Sequence, residues 1–263
     1  THFLPAGIGA WLRDAGQLRA QLAVVLTDLD CHALWLSRGA ARYCVALEET
    51  RVHLEGIGIS AENMRVTGIP VSRRFSWPVD RAMVCARAGL DPGRPIVVVS
   101  AGALGTGPTE ELVRCLIRER VVGGRPGVAG RRVGSRKNSG APSGCDVDGI
   151  GAQLVVLCGR CPELRARVIA AAGAVPGIHV RGYTRRMHEW MRVAALFVGK
   201  PGGLTTAEAM ACGLPMAIVA PIPGQEERNS DHLLEEGVAI RCNELTASGF
   251  KIGRLLADTE RLR

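Results

Sequence analysis

Gly199 to Asn229 reads GKPGGLTTAEAMACGLPMAIVAPIPGQEERN. A glycine pair, Gly202-Gly203, precedes two threonines and a helix-forming run, predicted over Thr206–Cys212. Met216–Ala220 is unbroken and apolar, as a strand covered on both faces reads. Pro221, Pro223 and Gly224 pin a loop, and a second helix is predicted over Glu226–Glu236, with the acidic first turn that a helix dipole favours. One helix and one buried strand thus separate two loops. In a parallel sheet, both loops come to the same edge.

The same alternation fills the chain outward from this stretch. Short apolar runs predict strands at Leu22–Leu26, Tyr43–Leu47, Met64–Thr67, Ile96–Ser100, Gln153–Cys158, Ile178–Val180, Ala195–Val198 and Val238–Arg241. Helices are predicted at Thr109–Arg118, Pro162–Ala172, Arg185–Met191 and Ala247–Leu256. Strand–helix alternation argues for parallel βαβ units and an α/β fold. Residues 1–75 form one set of elements. Residues 76–95, with Trp77-Pro78 and Asp91-Pro92-Gly93, read as linker and turn. A second α/β unit occupies 96–263. Val121–Ile150 is rich in Gly, Arg and Ser without apolar period, and is expected to be a disordered insertion.

Composition narrows the function. The 263 residues are 47% hydrophobic and 22% charged, which are globular values. No apolar run approaches the roughly 18–20 residues of a membrane-crossing helix, and no signal peptide is visible. The nine cysteines are irregularly spaced, which suits reduced thiols in a cytoplasmic protein. Cys158-Gly159-Arg160-Cys161 is a lone CxxC; zinc needs a second pair, so no metal is expected. The formal charge of +8 favours anionic partners. No nucleic-acid module is present, and the sequence does not reveal the oligomeric state.

Four constellations carry chemistry. Ser100–Gly107 (SAGALGTG) joins a strand to a helix, and Gly102 and Gly105 would let backbone N–H groups approach an anion, or would simply make a tight turn. Gly202, Gly203, Leu204, Thr205 and Thr206 would present donors to a diphosphate. Glu208 has two readings: it closes a capping box with Thr205, or it grips a ribose diol. Gln225, Glu226 and Asn229 would meet sugar hydroxyls, Asn229 being otherwise an exposed helix residue. Asp28 and His32, at a strand end, are candidates for acid–base work.

The strings VVLTDLDCHALW, VTGIPV, VVVSAGALGTGP, VVLCGR, VRGYT, VGKPGGLTTAEAMACGLP and PIPGQEERN resemble, in this order, the monogalactosyldiacylglycerol-synthase-like members of glycosyltransferase family 28. The resemblance covers the chain outside Val121–Ile150. It implies a GT-B fold, with two Rossmann-like domains facing a cleft. Residues 1–75 would be part of an acceptor-side domain, and 96–263 the UDP-sugar domain. It implies inverting, UDP-sugar-dependent transfer of a hexose to a lipid such as diacylglycerol, with no cofactor and no obligatory metal. The enzyme would sit peripherally on the inner face of the cell membrane. Gly203, Leu204 and Thr205 would contact the diphosphate, Glu208 the ribose, and Gln225 and Glu226 the sugar. The loop from Gly102 to Gly107 would lie near the diphosphate or across the cleft. The family's glycine-rich loop and base precede the point matched by Thr1, so they are expected to be missing. The alternatives are a nucleotide-sugar-binding fragment without catalysis, or a related N-acetylglucosaminyltransferase or epimerase.

Overall fold

The computed structural model describes residues 3–31, 35–36, 42–123 and 150–262. It begins with α1 (Phe3–Asp14), β1 (Ala23–Val25), β2 (Arg42–Val45), α2 (Glu48–Gly56) and β3 (Met64–Val66). The three strands are parallel in the order β1-β2-β3, with Ala23 opposite Arg42 and Tyr43 opposite Met64. Ala6 of α1 and Leu54 of α2 join Val24, Leu26, Trp35, Tyr43, Val45 and Met64 in one buried core. Phe3 meets Trp35 edge-on at 6.2 Å between ring centroids, a geometry that aromatic quadrupoles favour.

After a 3-10 turn at Arg73–Ser76 come α3 (Arg81–Ala88), β4 (Ile96–Ser100), α4 (Thr109–Arg118), β5 (Gln153–Leu157) and α5 (Pro162–Ala172). They are followed by β6 (Ile178–Arg181), α6 (Met187–Val193), β7 (Leu196–Gly199) and α7 (Gly203–Ala211). The chain continues with β8 (Met216–Val219), α8 (Gln225–Glu235), β9 (Ala239–Cys242) and α9 (Leu245–Ala257). The second sheet has strand order β6-β5-β4-β7-β8-β9. β4 pairs in parallel with β5 and with β7. β5, β7 and β8 are buried at every residue, which is why they read as continuous apolar runs. Each fully buried Val, Ile or Leu there contributes about 1.5–3 kcal/mol.

By compactness the chain divides into Thr1–Trp77 with Lys200–Arg241, and Pro78–Gly199 with Cys242–Arg263. This differs from the expected division at 75 and 96, because the segment with α7 and α8 groups with the amino-terminal elements. The expected linker 76–95 contains α3, capped where the Asp80 side chain accepts from the Met83 N–H at 3.1 Å. Arg81 fastens that helix: its guanidinium donates to the carbonyls of Pro92 (3.0 Å), Arg94 (2.9 Å) and Val193. Of the expected insertion, Val121 and Val122 are buried and Val122 bridges to Ala152; residues 124–149 lie outside the described residues. Cys158 is buried, whereas Cys44 and Cys212 are half-buried.

Candidate functional site

The residues predicted at a donor site fall into both compact units. Gly102 and Gly105 lie in the second, in the loop between β4 and α4. There a methyl on Gly105 would sit 2.7 Å from the Cys161 Cβ, and one on Gly159 would sit 2.3 Å from the Gly102 carbonyl oxygen. The Arg160 N–H donates to the Ala103 carbonyl at 3.0 Å. Close packing therefore accounts for Gly105 and Gly159 without a ligand, and the positive φ of 74° for Gly102. Burial pushes the Cys158 thiol up, so it stays protonated at neutral pH. Among the described residues no group of three or more His, Cys, Asp or Glu side chains could hold a metal ion.

The remaining candidates lie in the first unit, around the start of α7. Gly202 is its N-cap and Gly203 its first residue. The free N–H groups of the first turn are those of Gly203, Leu204 and Thr205, and they carry the positive end of the helix dipole. A methyl on Gly203 would sit 1.8 Å from the Thr27 carbonyl oxygen and 2.9 Å from the Asp28 Cα. Only glycine lets the loop after β1 come this close. Thr206 was expected as a diphosphate ligand. Its N–H is bound to the Gly202 carbonyl at 2.9 Å, and its side chain is fully buried with an unpartnered hydroxyl.

This frame rules out the capping box. Thr205 is the third helical residue, and Glu208 lies in the second turn, beyond reach of the helix start. The Glu208 side chain is half-buried. Burial alone pushes its carboxyl above the ordinary glutamate value. Among the described residues it has no hydrogen-bond or ion-pair partner.

At the start of α8, the Glu226 Oε2 accepts from the Ile222 N–H at 2.7 Å and so pins the loop of Pro221–Gly224. Its Oε1 lies 3.7 Å from where a Gly202 methyl would be. Among the described residues the buried Gln225 Nε2 has no partner. Glu227, in the same first turn, accepts from the Gly224 N–H at 3.1 Å.

Asn229 departs most from expectation: it is 0% exposed. Its Oδ1 accepts from the Leu29 N–H at 2.9 Å, and its Nδ2 donates to the Asp28 Oδ1 and to the Pro201 carbonyl, each at 3.0 Å. An amide engaged this fully is not presented to a ligand. Beside it, Arg228 donates to the Asp30 Oδ2 at 2.7 Å and to the Cys31 carbonyl at 3.2 Å. From α2, the Thr50 hydroxyl donates to the Leu29 carbonyl at 2.5 Å. Burial first, then Asp30, pushes the Cys31 thiol up to about 11. The loop after β1 is thus held by α2 and α8 together. Asp28 is half-exposed at its start; His32, the other acid–base candidate, lies outside the described residues.

Residues 1–71 match the family model described as monogalactosyldiacylglycerol (MGDG) synthase. A processive diacylglycerol beta-glucosyltransferase of Staphylococcus carnosus is 29% identical over 234 residues, covering 89% of this chain and 53% of the relative. The enzyme of that name from Staphylococcus aureus strain JH9 is 28% identical over 233 residues, covering 89% and 52%. The chain therefore spans about half the length of the curated relatives it matches. Among solved structures, Staphylococcus aureus MnaA with UDP aligns at a TM-score of 0.62 and 13% identity, covering 97% of this chain and 64% of that one. Acinetobacter baumannii MurG aligns at 0.60 and 16%, covering 98% and 64%. Anabaena HepE with UDP and glucose aligns at 0.57 and 15%, covering 99% and 68%. These likenesses carry the fold, an α/β architecture of the GT-B type. Over residues 1–71 the chain thus matches the monogalactosyldiacylglycerol synthase family model, and over most of its length it is similar to processive diacylglycerol beta-glucosyltransferases.

Proposed function

We propose that the chain is the donor-binding part, with some of the acceptor side, of an enzyme that moves a hexose from a UDP-sugar to a lipid hydroxyl such as that of diacylglycerol. One observation carries the reading: Glu208 is a half-buried carboxylate without a partner, one turn beyond a glycine-led helix start. Burying a charge without a partner is unfavourable. A ribose diol would supply two hydroxyl donors to it. Gln225, whose buried Nε2 lacks an acceptor, would likewise be satisfied by a sugar hydroxyl. The names of the relatives supply the acceptor class.

In this reaction the acceptor hydroxyl attacks the anomeric carbon from the face opposite the diphosphate. The bond to the diphosphate breaks, UDP leaves, and the hydroxyl proton passes to a base, giving inversion. The charge growing on the leaving group meets the N–H groups of Gly203, Leu204 and Thr205, so the reading calls for no metal and no cofactor. The workplace in this reading is the cytoplasmic face of a membrane. The net charge of +8 supports it. So does α1, whose Leu4, Ile8 and Trp11 share one face and are 58%, 51% and 64% exposed. No described helix is long and apolar enough to cross a membrane.

Calorimetric titration with UDP tests the proposal. UDP is expected to bind, and Glu208→Ala is expected to weaken it at least tenfold, about 1.4 kcal/mol. An unchanged affinity in that variant would remove Glu208 from the site.

A further inference from the structure

We infer that Asn229 is a positioning residue for the sugar end of the site rather than a ligand of the donor; the inference rests on the UDP-sugar reading above. Its amide joins three segments at once. Leu29 and Asp28 belong to the loop after β1, Pro201 to the turn into α7, and Asn229 itself to α8. Gln225 and Glu226, the expected sugar ligands, stand one turn earlier on the same helix. The Thr27 carbonyl and the Asp28 Cα lie directly against Gly203. Asn229 therefore sets where the loop after β1 stands relative to the first turns of α7 and α8. Among the described residues the second oxygen of Asp28 has no partner, and the orientation of that carboxylate depends on the Asn229 Nδ2.

Two grips on the donor then separate. UDP is held by the first turn of α7 and by Glu208, neither of which is bonded to Asn229. The hexose lies between elements whose spacing Asn229 fixes. A loosened loop should weaken recognition of the hexose and spare that of UDP. A purely structural asparagine would, when replaced, weaken both alike.

The test is calorimetric titration of the whole chain with UDP and with the tighter-binding of UDP-glucose and UDP-galactose. Asn229→Asp keeps the acceptor for Leu29 but loses both donor bonds. It is expected to lower the UDP-hexose to UDP affinity ratio at least tenfold, with the UDP Kd within threefold of the parent. Asn229→Ser, which adds no charge, is expected to do the same. In the double variant Asp28→Asn, Asn229→Asp, donor and acceptor trade places across the 3.0 Å contact, and at least half of the lost ratio is expected to return. Equal weakening of both ligands, an unchanged ratio, or no recovery in the double variant overturns the inference while UDP binding stands. Absence of UDP binding to the parent chain overturns the UDP-sugar reading and this inference with it.

Discussion

A carboxylate in the second turn of a helix cannot reach that helix's own first N–H groups, and this decides how Glu208 behaves. The letters Thr205-x-x-Glu208 suit a capping box, but the helix begins at Gly203. It starts three residues before the predicted Thr206, with the Thr27 carbonyl lying against Gly203, a contact invisible to local pattern. Asn229 was hidden for the same reason. In the string QEERN it looks like a surface residue, yet its partner Leu29 stands 200 residues away. The glycine pair at the helix start was legible because its pattern is local; what the Glu208 and Asn229 side chains face was not. Glu208 also has a stability signature. Burial raises its pKa, so the folded chain holds its proton to higher pH than the unfolded chain does. Stability therefore falls as pH rises upward from the ordinary value of 4.5. The penalty is present at neutral pH and absent well below 4.5. Glu208→Gln should melt about 1–3 °C above the parent at pH 7 and level with it near pH 4. Thermal melts at the two pH values check this. A difference that does not depend on pH would show that the carboxylate's charge is not involved.

Elements were legible in proportion to how fully their residues are buried. β4, β5, β7 and β8 announce themselves by unbroken apolar letters, and each lies within two residues of its predicted span. Three helices were missed, each for a local reason. α1 carries Pro5, Gly7 and Gly9, which weaken its helical signal. α2 is mostly polar. α3 is only eight residues long and sits among Trp77-Pro78 and Asp91-Pro92-Gly93, which read as turns. What makes α3 an ordered element is Arg81, whose guanidinium satisfies carbonyls that would otherwise need water. Hydrogen bonds to a charged donor are each worth about 1.5–3 kcal/mol, and of these three the one to Pro92 is exposed. Arg81→Ala should cost about 2 kcal/mol and lower the melting temperature by about 4–8 °C. Arg81→Lys should recover less than half of this, because an ammonium is a point donor and not a planar fork. Melting curves of both variants check the claim. A lysine variant as stable as the parent would mean that charge, and not the fork, holds α3.

At the scale of the whole molecule, the basic charge and the exposed face of α1 make a joint prediction. The excess of 33 Lys and Arg over 25 Asp and Glu draws the chain toward anionic surfaces, but charge alone gives binding that salt screens within about 10 Å at 0.1 M. Leu4, Ile8 and Trp11 follow one another at helical spacing on α1 and remain in solvent. Side chains of this kind enter the boundary between headgroups and acyl chains, and tryptophan favours that depth. The two contributions separate by their response to salt, since apolar insertion persists where attraction is screened. In sedimentation with vesicles, the chain should bind those containing phosphatidylglycerol several-fold better than neutral phosphatidylcholine vesicles at low salt. Part of that binding should survive 0.5 M salt. Trp11→Glu should remove the salt-resistant part and weaken partitioning at least tenfold, because burying a large apolar side chain is worth about 1.5–3 kcal/mol. If the Trp11→Glu chain sediments like its parent at high salt, α1 does not face the lipid. If the parent stays in the supernatant with anionic vesicles at low salt, the membrane workplace itself is wrong, while UDP binding through α7 would stand untouched.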